Sequence, residues 1–212
     1  MDVAIIDYGM SNLHSIDAAC RHTGLSSIIT SKEDQIMTSK IAILPGVGAF
    51  GTAMSHLNDT GLDICIKNFV STGKPFVGIC LGLQLLFNES EEFGTNKGLG
   101  LVSGTVKKFT YSDDGKYKYP VPQIGWNAIS QVENRWETTP LENNSDGDFM
   151  YFVHSYYVEP EDNSVIISKT VYGGTIYCSA IKQKNIFATQ FHPEKSGPIG
   201  LKTYEQIKKM IK

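Results

Sequence analysis

Apolar residues along the chain alternate between short unbroken runs and stretches with a helical period. Asp2–Asp7 (DVAIID), Leu25–Thr30, Lys40–Leu44 (KIAIL) and Pro75–Ile79 (PFVGI) are runs of the first kind. Turn residues such as Tyr8-Gly9 and Pro45-Gly46 close them, as expected of strands buried on both faces. Between them, Ser11 and Asn12 can cap a helix whose inner face carries Leu13, Ile16, Ala19 and Cys20 and which Gly24 ends. Gly61–Thr72 puts Leu62, Ile66, Phe69 and Val70 on one face, and Leu81–Phe87 is apolar enough for a buried helix. This alternation predicts an α/β fold with an open, largely parallel central sheet and helices on both faces.

After Gly94 the pattern changes to short β-like runs: Thr105–Phe109, Phe149–Val153, Val165–Val171, Ile176–Ile181 and Ile186–Gln190. They predict additional antiparallel strands in the second half. Tyr172-Gly173-Gly174-Thr175 has the composition of a hairpin turn. Trp136–Asp148 is polar and Asn-rich and reads as a surface loop. Ile199–Ile211 reads as a helix, with Lys208, Lys209 and Lys212 at the negative end of its dipole. No repeat or linker divides the chain, so residues 1–212 are expected to form one domain.

Composition narrows the function. The 212 residues are 41% hydrophobic and 19% charged, as in an ordinary globular protein. They are too few for a typical (β/α)8 barrel of about 250 residues. A net charge of −3 is not the footprint of a nucleic-acid binder. No run approaches the roughly 18 apolar residues of a membrane span. The longest, Pro75–Phe87, is broken by Gln84. Met1-Asp2 begins without a basic segment, so no export signal is read and a cytoplasmic setting is expected. Cys20, Cys65, Cys80 and Cys178 show no CxxC pattern and are expected as free thiols. The glycosylation patterns at Asn58, Asn88 and Asn143 are then coincidental. No pattern for a metal or organic cofactor is visible.

Three segments carry candidate chemistry. Gly46-Val47-Gly48-Ala49-Phe50-Gly51 formally matches a dinucleotide fingerprint. It lacks the second strand and acidic residue that fingerprint needs, and better suits a loop whose N–H groups face a developing negative charge. Gly78-Ile79-Cys80-Leu81-Gly82 is a nucleophile flanked by glycines at −2 and +2, between a strand and a helix. That is the cysteine version of a nucleophile elbow, with the thiol at a helix N-terminus. In Gln190-Phe191-His192-Pro193-Glu194-Lys195-Ser196, extended geometry before Pro193 puts His192 and Glu194 on one face, as a base and its orienting carboxylate. Cys20, Cys65 and Cys178 read as buried structural residues, and His14, His22 and His56 as ordinary ones. His154 lies in the aromatic segment Tyr151–Tyr157 and is placed to line a pocket.

Gly78–Gly82 with Gln84 (G-I-C-L-G-x-Q), together with His192-Pro193-Glu194, resembles the class I (triad) glutamine amidotransferases. Asp7–Leu13, Pro45–Phe50, Val121–Asn127 and His192–Ser196 resemble the branch of glutaminase subunits that serve imidazole glycerol phosphate synthesis. The resemblance implies hydrolysis of L-glutamine to glutamate and ammonia through a thioester on Cys80, with His192 as base and then acid and Glu194 orienting it. It assigns the oxyanion to backbone N–H groups at Gly48 and Leu81, and substrate binding to Gln84 and the backbone at Ser155. It implies a (β/α)8-barrel cyclase partner that receives the ammonia in histidine biosynthesis. Asn12, Gln123, Trp126, Asn127 and Lys195 would face that partner, and activity would be low until it is loaded. Two positions depart from the family: Ser11 where glycine is common, and Gln123 where histidine is. Two alternatives stay open: a glutaminase serving a surface-polysaccharide sugar amidotransferase, and another Cys-triad γ-glutamyl hydrolase.

Overall fold

A computed structural model describes residues 1–10, 12–109 and 119–211. Ser11 and Lys212, named above for a helix cap and a basic helix end, lie outside the described residues. The first half alternates strands Val3–Ile6 (β1), Ser27–Thr30 (β2), Ile41–Leu44 (β3) and Phe76–Ile79 (β4) with helices Leu13–His22 (α1), Glu33–Thr38 (α2), Phe50–Thr60 (α3) and Leu62–Ser71 (α4). Helix Leu81–Leu85 (α5) follows β4 directly, then strands Glu89–Ser90 (β5), Asn96–Lys97 (β6) and Gly104–Lys108 (β7). The second half adds Gln123–Ala128 (β8), Ser130–Gln131 (β9), Phe149–His154 (β10), Tyr156–Pro160 (β11), Ile166–Tyr172 (β12), Thr175–Gln183 (β13), Ile186–Thr189 (β14) and helix Gly197–Lys209 (α6).

The main sheet runs β2-β1-β3-β4-β14-β13-β11-β7-β5-β6, with β12 beside β13 and β9 beside β12. Its first five strands are parallel. Every residue of β1, β3, β4 and β14 is buried, because helices cover both faces. Helices α1 and α6 pack Ile16, Cys20, Tyr204 and Ile207 on one face. Helices α2 to α5 pack Ile36, Phe50, Leu57, Phe69 and Leu83 on the other. Each fully buried large apolar side chain contributes roughly 1.5–3 kcal/mol.

Several sequence expectations need correction. Ile186–Gln190 is antiparallel on one edge only: β14 pairs antiparallel with β13, as expected, but lies parallel to β4, with Thr189 beside Ile79. Residues 50–60 form a helix that the glycine-rich reading of this region passed over. Asn12 stands at the N-cap of α1, but its side chain makes no capping bond. Trp136–Asp148 contains no helix or strand, yet it is not simply a surface loop. Trp136 and Leu141 are buried, and the Trp136 indole N–H donates to the Ile167 carbonyl at 2.9 Å. The turn at Gly173-Gly174 is as expected, with φ of 59° and 85°, the left-handed pair of a type I′ hairpin. Strands β8 and β10 form a separate two-stranded sheet. The chain passes from it into the main sheet at Ser155, between β10 and β11.

Candidate active site

The end of β4 turns into α5 through Cys80, whose φ of 56° and ψ of −110° are strained for a residue with a side chain. Its N–H donates to the Thr189 carbonyl of β14 at 2.7 Å. The flanking glycines make the turn possible. A Cβ on Gly78 would lie 3.0 Å from the Gly82 carbonyl oxygen, and one on Gly82 would lie 1.9 Å from the Leu44 oxygen. Gly46 lets the loop after β3 lie against the elbow, since its Cβ would come within 2.8 Å of Leu81 Cβ. The glycines of residues 46–51 thus serve close packing. Gly51 already lies inside α3, where a dinucleotide fingerprint would open its helix.

His192 follows β14, the strand next to β4, so two neighbouring strands deliver the thiol and the imidazole to one place. His192 Nδ1 and Glu194 Oε1 are 2.8 Å apart, with both side chains at most 3% exposed. His192 itself is extended, as expected before Pro193, with φ −103° and ψ 93°, but residues 193–195 form a 3-10 turn and the pair closes across it. Burial alone would lower the His192 pKa. The facing Cys80 sulfur and the Glu194 carboxylate outweigh it and hold the pKa up at about 10. His192 Nε2 has no partner at hydrogen-bonding geometry among the described residues.

A cleft of about 260 Å³ opens at Cys80, lined by Gly48, Leu81, Gln84, Glu92, His154 and Ser155 among others. Gln84 Nε2 donates to the Tyr156 carbonyl at 2.9 Å and to Gln190 Oε1 at 3.0 Å. Gln190 Nε2 faces the Cys80 sulfur at 3.8 Å. Gln190 opens the third candidate segment but was given no role from the sequence, although it stands two residues before His192, the same spacing that pointed to Glu194. Glu92 was missed too. It is the one formally charged side chain among those lining the cleft, and it accepts from Phe50 N–H, the start of α3, at 2.6 Å. Leu81 opens α5, so its N–H has no intrahelical acceptor. Gly48 sits at φ 94° on the rim.

His154 is buried and neutral. Burial pulls its pKa down to about 4 from 6.5, against the Tyr156 carbonyl at its Nδ1 and with help from His192. A folded value below the unfolded one means that protonation favours unfolding. The His154 contribution is therefore complete above pH 6.5 and is lost as pH falls from 6.5 to about 4. His154→Asn is expected to flatten the fall in unfolding free energy across that window by an amount on the order of 3 kcal/mol, as read from urea titrations. Parallel acid limbs for the two proteins would contradict this.

The expected partner-facing residues are distributed unevenly. Trp126 is 54% and Ile124 63% exposed on the outer face of β8. The Trp126 ring meets Tyr151 of β10 at 6.0 Å, and Lys195 Nζ lies 5.9 Å from the Tyr151 ring. Asn127 is spent on the Val171 carbonyl at 2.9 Å. Gln123 is 2% exposed and points inward. Asn12 is exposed and lines a narrow gap that reaches His192 and Glu194 from the other side.

The family model described as glutamine amidotransferase class-I matches residues 4–206. Imidazole glycerol phosphate synthase subunit HisH of Aquifex aeolicus is 43% identical over 210 residues, covering 99% of this chain and 97% of that one. The proteins of the same name from Chlorobaculum tepidum and Bacillus subtilis are 41% and 39% identical, covering 97% and 98% of this chain and 98% and 96% of theirs. Among solved structures, PurLQS from Thermotoga maritima superposes with a TM-score of 0.74 at 19% identity, covering 99% of this chain and 98% of that one. The glutaminase domain of Trypanosoma brucei CTPS, with bound acivicin, gives 0.61 at 15%, covering 98% and 92%. The structural likenesses speak for the fold, and the full-length sequence likenesses go further: the chain belongs to the class-I glutamine amidotransferases, among the HisH subunits of imidazole glycerol phosphate synthase.

Proposed function

We infer that this protein is the glutaminase subunit of imidazole glycerol phosphate synthase, releasing ammonia from L-glutamine for histidine biosynthesis. The observation that carries the reading is the buried Cys80–His192–Glu194 arrangement in a chain about 40% identical to HisH subunits along its whole length. Residues 1–212 act as one glutaminase domain, built on the sheet that brings β4 and β14 together. In the proposed mechanism His192 Nε2 already holds the proton drawn from the Cys80 thiol, in keeping with its raised pKa, and Cys80 Sγ attacks the side-chain carbonyl of glutamine. The oxyanion rests on the N–H groups of Leu81 and Gly48. His192 passes the proton to the departing nitrogen, and ammonia leaves. Water, deprotonated by His192, then cleaves the thioester to glutamate and frees the thiol. Glu194 holds the imidazole with Nδ1 protonated throughout. Gln84 and the backbone at Ser155 position the substrate, and the Glu92 carboxylate suits its α-ammonium group.

The exposed outer face of β8, with Trp126 beside Tyr151 and Lys195, suits a protein partner, since aromatic residues dominate interface cores. We assign it to a (β/α)8-barrel cyclase subunit in a cytoplasmic heterodimer. Among the described residues no helix is long and apolar enough to cross a membrane. Co-purification with the cyclase subunit should give a complex that makes imidazole glycerol phosphate with glutamine as the only nitrogen source. A complex that works with ammonium salts but not with glutamine would refute the assignment.

A further inference from the structure

A line of polar groups runs from β8 to the nucleophile. Gln123 of β8 and His154 of β10 are cross-strand neighbours. The Tyr177 hydroxyl of β13 sits between them, donating to Gln123 Oε1 at 2.9 Å and lying 3.3 Å from His154 Nε2. His154 Nδ1 is 2.7 Å from the Tyr156 carbonyl, the same carbonyl that accepts from Gln84 Nε2. Gln84 in turn reaches Gln190, which faces the Cys80 sulfur. Gln123, Tyr177, His154, Gln84 and Gln190 are each 7% exposed or less.

Counting protons makes Tyr177 a branch point. A carbonyl only accepts, so the single proton of the neutral imidazole is on Nδ1 and Nε2 is an acceptor. Burial keeps that ring neutral, as its depressed pKa shows. The Tyr177 hydroxyl therefore has one proton and two groups that can only accept it, Gln123 Oε1 and His154 Nε2, while the neighbouring Thr170 hydroxyl brings a proton of its own. It favours the nearer, Gln123, which belongs to the strand that carries the exposed Ile124 and Trp126.

We propose that Tyr177 is a hydrogen-bond switch: a partner seated on β8 draws Gln123 away, the hydroxyl proton turns to His154 Nε2, and the change reaches Gln84 through the Tyr156 carbonyl. This rests on the reading of β8 as the partner-facing strand. A donor at Nε2 makes Nδ1–H a stronger donor in turn, because linked hydrogen bonds polarise one another. The Tyr156 carbonyl, shared between the two donors, then holds Gln84 Nε2 less tightly, and the Gln84 amide is freer to turn toward the substrate. Gln123, Tyr177 and His154 are positioning residues; none touches the reacting atoms.

Two variants with opposite expected signs test the switch. Tyr177→Phe keeps the ring and removes the contested proton. In the cyclase complex its partner-stimulated kcat/KM for glutamine should fall about tenfold while the partner Kd stays within about twofold. Gln123→Leu removes the competing acceptor. It should raise the glutaminase rate of the chain without partner and shrink the further gain on binding. Stimulation of Tyr177→Phe equal to that of the native protein overturns the proposal, as do unstimulated rates that move the same way in both variants. A native chain that neither binds nor responds to the cyclase overturns the partner reading and the switch together. A native complex that responds, with variants that respond alike, overturns the switch alone. Native protein labelled with [15N]histidine gives a readout without any variant. The His154 Nε2 resonance should move toward its hydrogen-bonded position when the partner is added, and a resonance that stays fixed, or an Nε2–H tautomer, overturns the switch.

Discussion

Cys80→Ala is expected to abolish glutamate release from the assembled complex, lowering kcat by about 10⁴-fold or more. The size follows from the absence of a substitute. Burial pushes the thiols of Cys20 and Cys178 up to about 12 and that of Cys65 to about 11, so none is a ready nucleophile at neutral pH. None of the three lines the cleft at position 80. What survives is binding and the oxyanion donors, which act on a reaction that then has no acyl acceptor but water. The check is glutamate release in the complex, with a glutamine-analogue alkylator as a second readout. The native protein should gain mass at Cys80 and the variant should not. Release within tenfold of native would refute the thioester route.

Gly82→Ala is expected to be the most damaging small substitution in the elbow. The added Cβ would meet the Leu44 carbonyl oxygen at 1.9 Å, and Leu44 belongs to β3, which is held between β1 and β4. Neither backbone can yield cheaply, so a cost of about 3 kcal/mol or more is expected, at the upper end of overpacking effects. For a chain of this length that lowers the thermal midpoint by roughly 6–12 °C. Activity should fall further than stability, because relief of the clash displaces α5 and with it the Leu81 N–H. A midpoint within about 2 °C of native would show that the elbow has slack that the geometry denies.

The turn at Cys80 and the pairing of His192 with Glu194 were legible because their signals are local. Gly78 and Gly82 sit at fixed offsets from Cys80, and Glu194 sits two residues from His192. Even so, the geometry behind the second signal was an extended His192 followed by a 3-10 turn. Helix α3 shows Phe50, Ala53, Met54 and Leu57 at helical spacing. Its first N–H, however, is met by Glu92, 42 residues away, and no local rule announces such a cap. Strand β8 contains Gly125 at φ 131° and is a strand because β10 pairs with it along its length. The apolar run of β14 is the same whether its neighbour is parallel or antiparallel. Only long-range packing decides that it enters beside β4.

That late entry sets an order of events while the protein is being made. His192 leaves the ribosome 112 residues after Cys80 (192 − 80), which at about 5–20 residues per second is roughly 6–22 s. Throughout that interval the growing chain carries a thiol with no base beside it, and β4 lacks the neighbour whose Thr189 carbonyl holds the Cys80 turn. Contacts between residues this far apart in sequence also form late in folding. On the proposed mechanism the nascent polypeptide is expected to release no glutamate, and hydrolysis to begin only when the segment bearing His192 has been threaded into the middle of the sheet.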